Sequence, residues 1–203
     1  MKFLKQTAIL LFISIFTVAC SDSDTDSSNT SRSSATSILA VGDSIGVGYS
    51  VETQTNILPN WPTKVQDKTG IPVINYSKGG RHASASISTV QYAIDTYQPS
   101  HLIIMLGTND SNNGSVSGAT FAMQFITEYA KAAGVVPIIG TIPPRNSKSA
   151  EISANYRQID TPIADIEAAF GNGSGLFQSD GIHPNDAGQE VIANTFVDVL
   201  NAN

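Results

Sequence analysis

The 203-residue chain contains one cysteine, so no intramolecular disulfide can staple it and the fold must stand on packing alone. Basic residues are also scarce: 11 Lys and Arg against 17 Asp and Glu give a formal charge of −6, or −8 once Lys2 and Lys5 are set aside with a removable leader. No three basic residues adjoin, and a duplex binder needs clustered Lys and Arg to displace phosphate counterions, so nucleic acid is not an expected partner. HExxH and CxxC spacings are missing, as are GxGxxG and Walker loops, which leaves neither a metal nor a cofactor to be expected. Long hydrophobic runs are missing too, apart from Ala8 to Ala19. Those twelve residues are too few for a helix to cross a hydrocarbon core of about 30 Å.

What is present begins at that run. Lys2 and Lys5 precede it and small residues end it, the layout of a secretory signal over residues 1–19. Cys20 follows Val18-Ala19 directly. Thr17-Val18-Ala19-Cys20 resembles a bacterial lipobox, departing from it at Thr17, where Leu is usual; the resemblance implies a diacylglyceryl group on Cys20. Ser21 at the next position resembles the outer-membrane sorting preference of Gram-negative lipoproteins, so the expected location is the cell envelope: lipid-anchored in the outer membrane or periplasm of a Gram-negative source, otherwise secreted. Residues 20–37 are almost wholly Ser, Thr, Asp and Asn after the cysteine, too polar to offset the entropy of ordering, and read as a tether. The remaining residues, 38–203, make one domain without an internal repeat.

Within that domain short apolar runs alternate with helical stripes. Ile38 to Val41, Val73 to Asn75, Leu102 to Leu106 and Val135 to Gly140 read as strands, with a weaker fifth near Leu176 to Gln178. Their consecutive apolar residues suit strands covered on both faces, as in a parallel sheet. Ala122, Phe125, Ile126, Tyr129 and Ala133 share one helical face with Gly134 as a stop, and Ile192, Phe196, Val199 and Leu200 form another stripe behind Asn185 as an N-cap. Ile152, Tyr156, Ile159, Ile163 and Ile166 recur at helical spacing, with a new helix expected to start at Pro162. Alternating strands and helices predict a three-layer α/β/α sandwich with a parallel sheet of about five strands. Ligands of such open sheets sit beyond the carboxyl ends of the strands.

Four segments with chemistry fall at those ends. Gly42-Asp43-Ser44 follows the first strand, where a strand-to-helix turn would hold a serine hydroxyl at the sheet edge. In Asp180-Gly181-Ile182-His183-Pro184, a carboxylate three residues before a histidine can reach back to its Nδ1 and fix its tautomer. Gly107-Thr108-Asn109-Asp110 offers a neutral amide donor, and Asn75-Tyr76-Ser77-Lys78-Gly79-Gly80 offers glycines whose N–H groups can approach a substrate oxygen closely. Taken singly, each segment could equally be turn chemistry. His101 lies at the amino end of its strand, the wrong edge for catalysis, and His82 lies two residues from Gly80 with no carboxylate near it in sequence.

In order and together, the four segments resemble the blocks of the SGNH hydrolases, the GDSL-like lipases and esterases. The resemblance implies a flavodoxin-like sandwich and acyl transfer through serine. It gives Ser44 as nucleophile, His183 as base and Asp180 as its partner. The oxyanion donors it implies are the N–H of Ser44, the N–H of Gly80 (Gly79 the alternate) and the amide of Asn109. The polar segment from Ser111 to Gly118, read as a short loop, departs from close relatives, so substrate contacts there do not carry over. Small or single-chain acyl esters of lysophospholipase or arylesterase type are the expected substrates. A polysaccharide or cell-wall O-acetyl esterase and an acyltransferase would use the same residues, and a catalytically inactive surface-binding module is the alternative of another class.

Overall fold

The computed structural model describes residues 37–203. The expected leader, the lipidation site Cys20 and the tether through residue 36 lie outside the described residues.

The central sheet is built from strands whose sequences leave no polar face. In β1 (Ile38–Gly42) all five residues are buried, which only a sheet covered on both sides allows. Beside it run β4 (Val73–Asn75) and β5 (His101–Met105), then β6 (Val136–Gly140) and β7 (Ile163–Ala164). The order is β4-β1-β5-β6-β7 and every pairing is parallel, with Ile38 opposite both Val73 and His101. A separate antiparallel pair, β2 (Tyr49–Ser50) and β3 (Thr55–Asn56), follows the first strand.

Helices cover the two faces. On one, α1 (Trp61–Thr69) and α6 (Ile166–Phe170) pack against α7 (Asp186–Ala202), with Trp61 and Phe196 stacked at 4.9 Å between centroids. On the other, α2 (Ile87–Tyr97) packs on α4 (Val116–Ala132), and α4 on α5 (Ser147–Tyr156). The short α3 (Thr108–Asn113) follows β5. This is the expected three-layer α/β/α sandwich. Its strand order reverses between β1 and β5, and the crevice beyond the carboxyl ends at such a switch point is where open α/β sheets bind ligands.

Four local readings are corrected. The fifth strand is Ile163–Ala164, not Leu176 to Gln178; Phe177 makes only an isolated antiparallel bridge to Pro184. No helix starts at Pro162: α5 stops at Tyr156, Pro162 gives its carbonyl to Ile139 at the entrance to β7, and α6 begins at Ile166 behind the Asp165 cap. Ser111 to Gly118 is not a loop throughout, since α3 runs to Asn113 and α4 begins at Val116 with Ser115 accepting from Gly118 N at 3.0 Å. Phe125 points outward at 43% exposure, and the buried side of α4 is instead Ala119, Ala122, Met123, Ile126 and Ala130. Asn185 caps α7 as expected, accepting from Gly188 N at 3.0 Å.

Candidate active site

The turn after β1 is fixed by a buried carboxylate. Asp43, fully buried, accepts from Ile45 N at 2.9 Å, and Val47 N then bonds back to the Asp43 carbonyl at 3.2 Å. No regular helix follows, contrary to the strand-to-helix reading: Tyr49 N returns to the Ser44 carbonyl at 3.1 Å and the chain enters β2. Ser44 is left half-buried at the carboxyl edge of the sheet. Gly46 is required here, because a Cβ would come within 2.3 Å of Ser77 Oγ.

The histidine loop is shaped by its own aspartate. Gly181 (φ +66°) lets the chain turn, and Asp180 Oδ1 accepts from Ile182 N at 2.9 Å and His183 N at 3.0 Å. Asp180 Oδ2 remains for the ring, 2.6 Å from His183 Nδ1. Partial burial pushes the Asp180 carboxyl up, but the ring and the two N–H donors together hold it below the usual carboxylate range. With Nδ1–H directed at Asp180, the neutral ring presents the Nε2 lone pair to Ser44 Oγ, 2.9 Å away and 139 residues earlier in the chain. The ring of Tyr49 braces the imidazole at 4.9 Å.

Two glutamines tie this part of the chain to the turn that carries Ser44 and the residues after it. Gln178 accepts from Val51 N at 2.8 Å and donates to the carbonyls of Tyr49 at 2.8 Å and Pro184 at 3.1 Å. Gln189 accepts from Trp61 N at 2.9 Å and donates to Ile45 O at 3.0 Å. Neither glutamine, nor Tyr49, carries any local motif that a linear reading could find.

The third wall comes from the segments after β4 and β5. Arg81 N bonds to the Lys78 carbonyl at 3.2 Å across a turn whose third residue, Gly80, has φ +73°, a conformation suited to glycine. Asn109 Nδ2 donates to Arg81 O at 3.0 Å and lies 3.4 Å from Asp43 Oδ2. Burial pushes the Asp43 carboxyl up to about 6, against the lowering effect of the Ile45 N–H and the nearby His183. His82, which lacks a carboxylate in sequence, has one in space: its Nδ1 is 3.7 Å from Asp110 Oδ1, on a buried carboxylate that also accepts from Ala83 N and Ser84 N. His101 stands at the amino end of β5 beside Ser100 Oγ, away from this crevice. Ser44, Asp180 and His183 are thus brought together, Asn109 stands at the start of α3 and Gly80 in the turn after β4, and Asp43 is the buried residue whose part the linear reading missed.

Known proteins share this architecture. Thioesterase 1/protease 1/lysophospholipase L1 of Escherichia coli (strain K12) is 27% identical over 172 residues, covering 78% of this chain and 80% of that protein. A psychrotrophic esterase from Pseudoalteromonas sp., solved inhibited by monoethylphosphonate, superposes with a TM-score of 0.67 at 22% identity over 82% of this chain and 97% of its own. The lipase/acylhydrolase from Enterococcus faecalis superposes with a TM-score of 0.71 at 18% identity over 82% and 96%. Residues 40–191 match the GDSL-like Lipase/Acylhydrolase family, and with that match the chain belongs to this family and is a carboxylic ester hydrolase.

Proposed function

We propose that the chain hydrolyses small or single-chain acyl esters through an acyl-enzyme on Ser44. The continuous hydrogen-bonded line from Asp180 through His183 to Ser44 carries this reading. His183 Nε2 takes the hydroxyl proton as Ser44 Oγ attacks the ester carbonyl, then returns it to the departing alkoxide as the acyl-enzyme forms. Water, deprotonated by the same nitrogen, attacks the acyl-enzyme and releases the acid, with the proton passing back to Ser44. The oxyanion of each tetrahedral intermediate is received by the N–H of Ser44, the N–H of Gly80 and the Asn109 amide, whose long 3.4 Å donation to Asp43 Oδ2 gives way to it. Losing one such donor typically costs about 10²- to 10³-fold in rate.

Two observations support that site: Asp180 Oδ2 lies 2.6 Å from His183 Nδ1, which favours the Nδ1–H tautomer a base requires, and Nε2 meets the hydroxyl at hydrogen-bonding distance. The test is a fluorophosphonate probe followed by peptide mass analysis, run beside Ser44→Ala on a panel of acetyl, butyryl and long-chain aryl esters, an acetylated glycan and a lysophospholipid. One adduct on Ser44 and loss of hydrolysis by several orders of magnitude in the variant are expected. An adduct elsewhere, or a variant that still turns over, overturns the assignment.

The same proposal extends to the residues ahead of the domain. The leader-like run over residues 1–19 and Cys20 support export and lipid attachment at that cysteine, with the enzyme held at a membrane of the cell envelope through the polar tether.

A further inference from the structure

Half of the eight Lys and Arg residues of the domain are committed to carboxylates. Lys64 and Lys68 pair with Asp186 and Glu190, Lys131 with Glu128 and Asp160, and Arg157 with Asp165 and Glu167. Lys78 and Arg81 make no ion pair among the described residues, although acidic residues outnumber basic ones in the chain and the charge of Asp43 reaches Arg81. Both line one cavity of about 380 Å³, walled also by Gly80, His82, Ser86 and Thr89. That volume lies within the roughly 300 to 1,000 Å³ of small-molecule sites.

The two cations are presented differently. Arg81 is half-buried and held in place: its guanidinium donates to the Tyr76 carbonyl and lies 5.4 Å from the centroid of the Tyr76 ring. Lys78 is exposed at the rim. Between them sits Gly80, whose N–H faces the reacting carbonyl in the serine mechanism, so a cavity at this glycine adjoins one arm of a bound ester. Two unpaired cations in a concave site focus the field for an anion better than the same charges spread over a surface. Ser86 adds a polar wall: its hydroxyl is spent on the His82 carbonyl rather than on capping α2.

We infer that this cavity is a subsite for an anionic group, phosphate or carboxylate, carried by the ester substrate and bound by Lys78 and Arg81. The inference rests on the serine esterase reading and narrows its substrate class: esters with a negative charge close to the carbonyl are preferred over neutral ones of the same size. Arg81 offers a fixed planar donor fork, and Lys78 contributes a mobile point charge that attracts the anion on approach.

The experiment compares matched esters that differ only in charge. Phenyl butyrate is set against 4-(butyryloxy)benzoate for the carboxylate, and a monoacylglycerol against the corresponding 1-acylglycerol 3-phosphate for the phosphate. Lys78→Glu, Lys78→Arg and Arg81→Met are assayed with the wild type at low and high salt. In Lys78→Glu and Arg81→Met the ratio of KM for the anionic ester to KM for its neutral partner should rise about tenfold, in Lys78→Arg it should stay near the wild-type ratio, and salt should erode the wild-type preference. Inorganic phosphate should compete with the anionic esters in the wild type and lose potency in Lys78→Glu. A rise with one pair alone identifies which anion the site takes and upholds the inference. Ratios that stay within about twofold of wild type for both pairs and both charge-removing variants overturn it. Ser44→Ala separates the two levels: if that variant still hydrolyses these esters, the serine reading has failed, whereas Ser44-dependent turnover without charge preference removes the anion subsite alone.

Discussion

The carboxylate of Asp43 lies 3.4 Å from the side-chain nitrogen of Asn109, so the buried acid beside Ser44 also faces the amide proposed to receive the oxyanion. Its other oxygen is taken by Ile45 N. One side chain therefore sets both the turn that carries Ser44 and the direction of the Asn109 amide, and it does so as a charge without solvent.

That arrangement trades stability for geometry. Held at about 6 against an ordinary 3.8, the ionised Asp43 costs the native state about 3 kcal/mol at neutral pH. The sign follows from the raised value: below 3.8 both native and unfolded forms are protonated and the cost is absent, it grows as pH rises toward 6, and it is complete above that. Asp43→Asn should raise the urea midpoint at pH 8, and the gain should shrink steadily between pH 6 and pH 4. Activity should fall about 10²-fold, because an amide that still accepts from Ile45 N must turn a donor toward the donor of Asn109. Unfolding curves at both pH values, together with kcat/KM, check the two halves separately.

Asp180→Asn should leave the fold nearly intact and reduce kcat by about 10⁴-fold, because an amide hydrogen at Oδ2's place makes Nδ1 an acceptor and sends the ring proton to Nε2, facing Ser44. The lowered carboxyl of Asp180 contributes stability above pH 3.8 that is lost as pH falls through its native value, so the small deficit of the variant should vanish at acid pH. Wild-type kcat/KM should fall as pH drops, since an imidazolium cannot take the serine proton. A pH profile and thermal melts of both proteins test this.

Gly79 and Gly80 are distinguished by their backbones. A Cβ at either meets nothing within 4 Å, but only Gly80 has positive φ. Gly79→Ala should be close to wild type in stability and activity. Gly80→Ala should lose about 1 to 2 kcal/mol from its left-handed conformation. If Gly80 supplies the oxyanion N–H, it should also lose about 10²-fold in kcat. A kcat loss in Gly79→Ala larger than that in Gly80→Ala would shift the donor role to Gly79.

Cys20→Ser should release a soluble and fully active enzyme from the membrane fraction, while the native chain should begin at Cys20 and carry lipid. One acyl chain binds membranes marginally and two or more anchor stably, so fractionation with intact-mass analysis distinguishes the outcomes. A wholly soluble native protein with an unmodified Cys20 would reduce the segment to an ordinary signal peptide.

Legibility in the sequence followed the distance between interacting residues. β1, β5 and β6 were visible because a strand buried on both faces is a nearly unbroken apolar run, the half-buried edge strand β4 by its short Val73-Ile74 pair, and Asp180 with His183 because their contact closes within one turn. β7 was hidden because its two residues follow a proline inside a stripe of isoleucines spaced like a helix; Ile159 and Ile163 meet the core from a turn and a strand instead. The apolar Leu176 to Gln178 misled for the opposite reason, being a packed loop with a single bridge. His82 and Asp110, or Gln178 and Val51, lie too far apart in sequence for any local pattern to connect them.

The glutamine bonds that tie the histidine loop to the first turn span 127 to 144 residues, and this gives the enzyme a schedule. At a synthesis rate of about 5 to 20 residues per second, the 139 residues between Ser44 and His183 take roughly 7 to 28 s to make. Throughout that interval Ser44 lacks the base proposed for it, and the amides of Val51 and Trp61 lack their glutamine partners. On the proposed mechanism any polypeptide arrested before His183 should be silent, so esterase activity should report that synthesis has passed that residue.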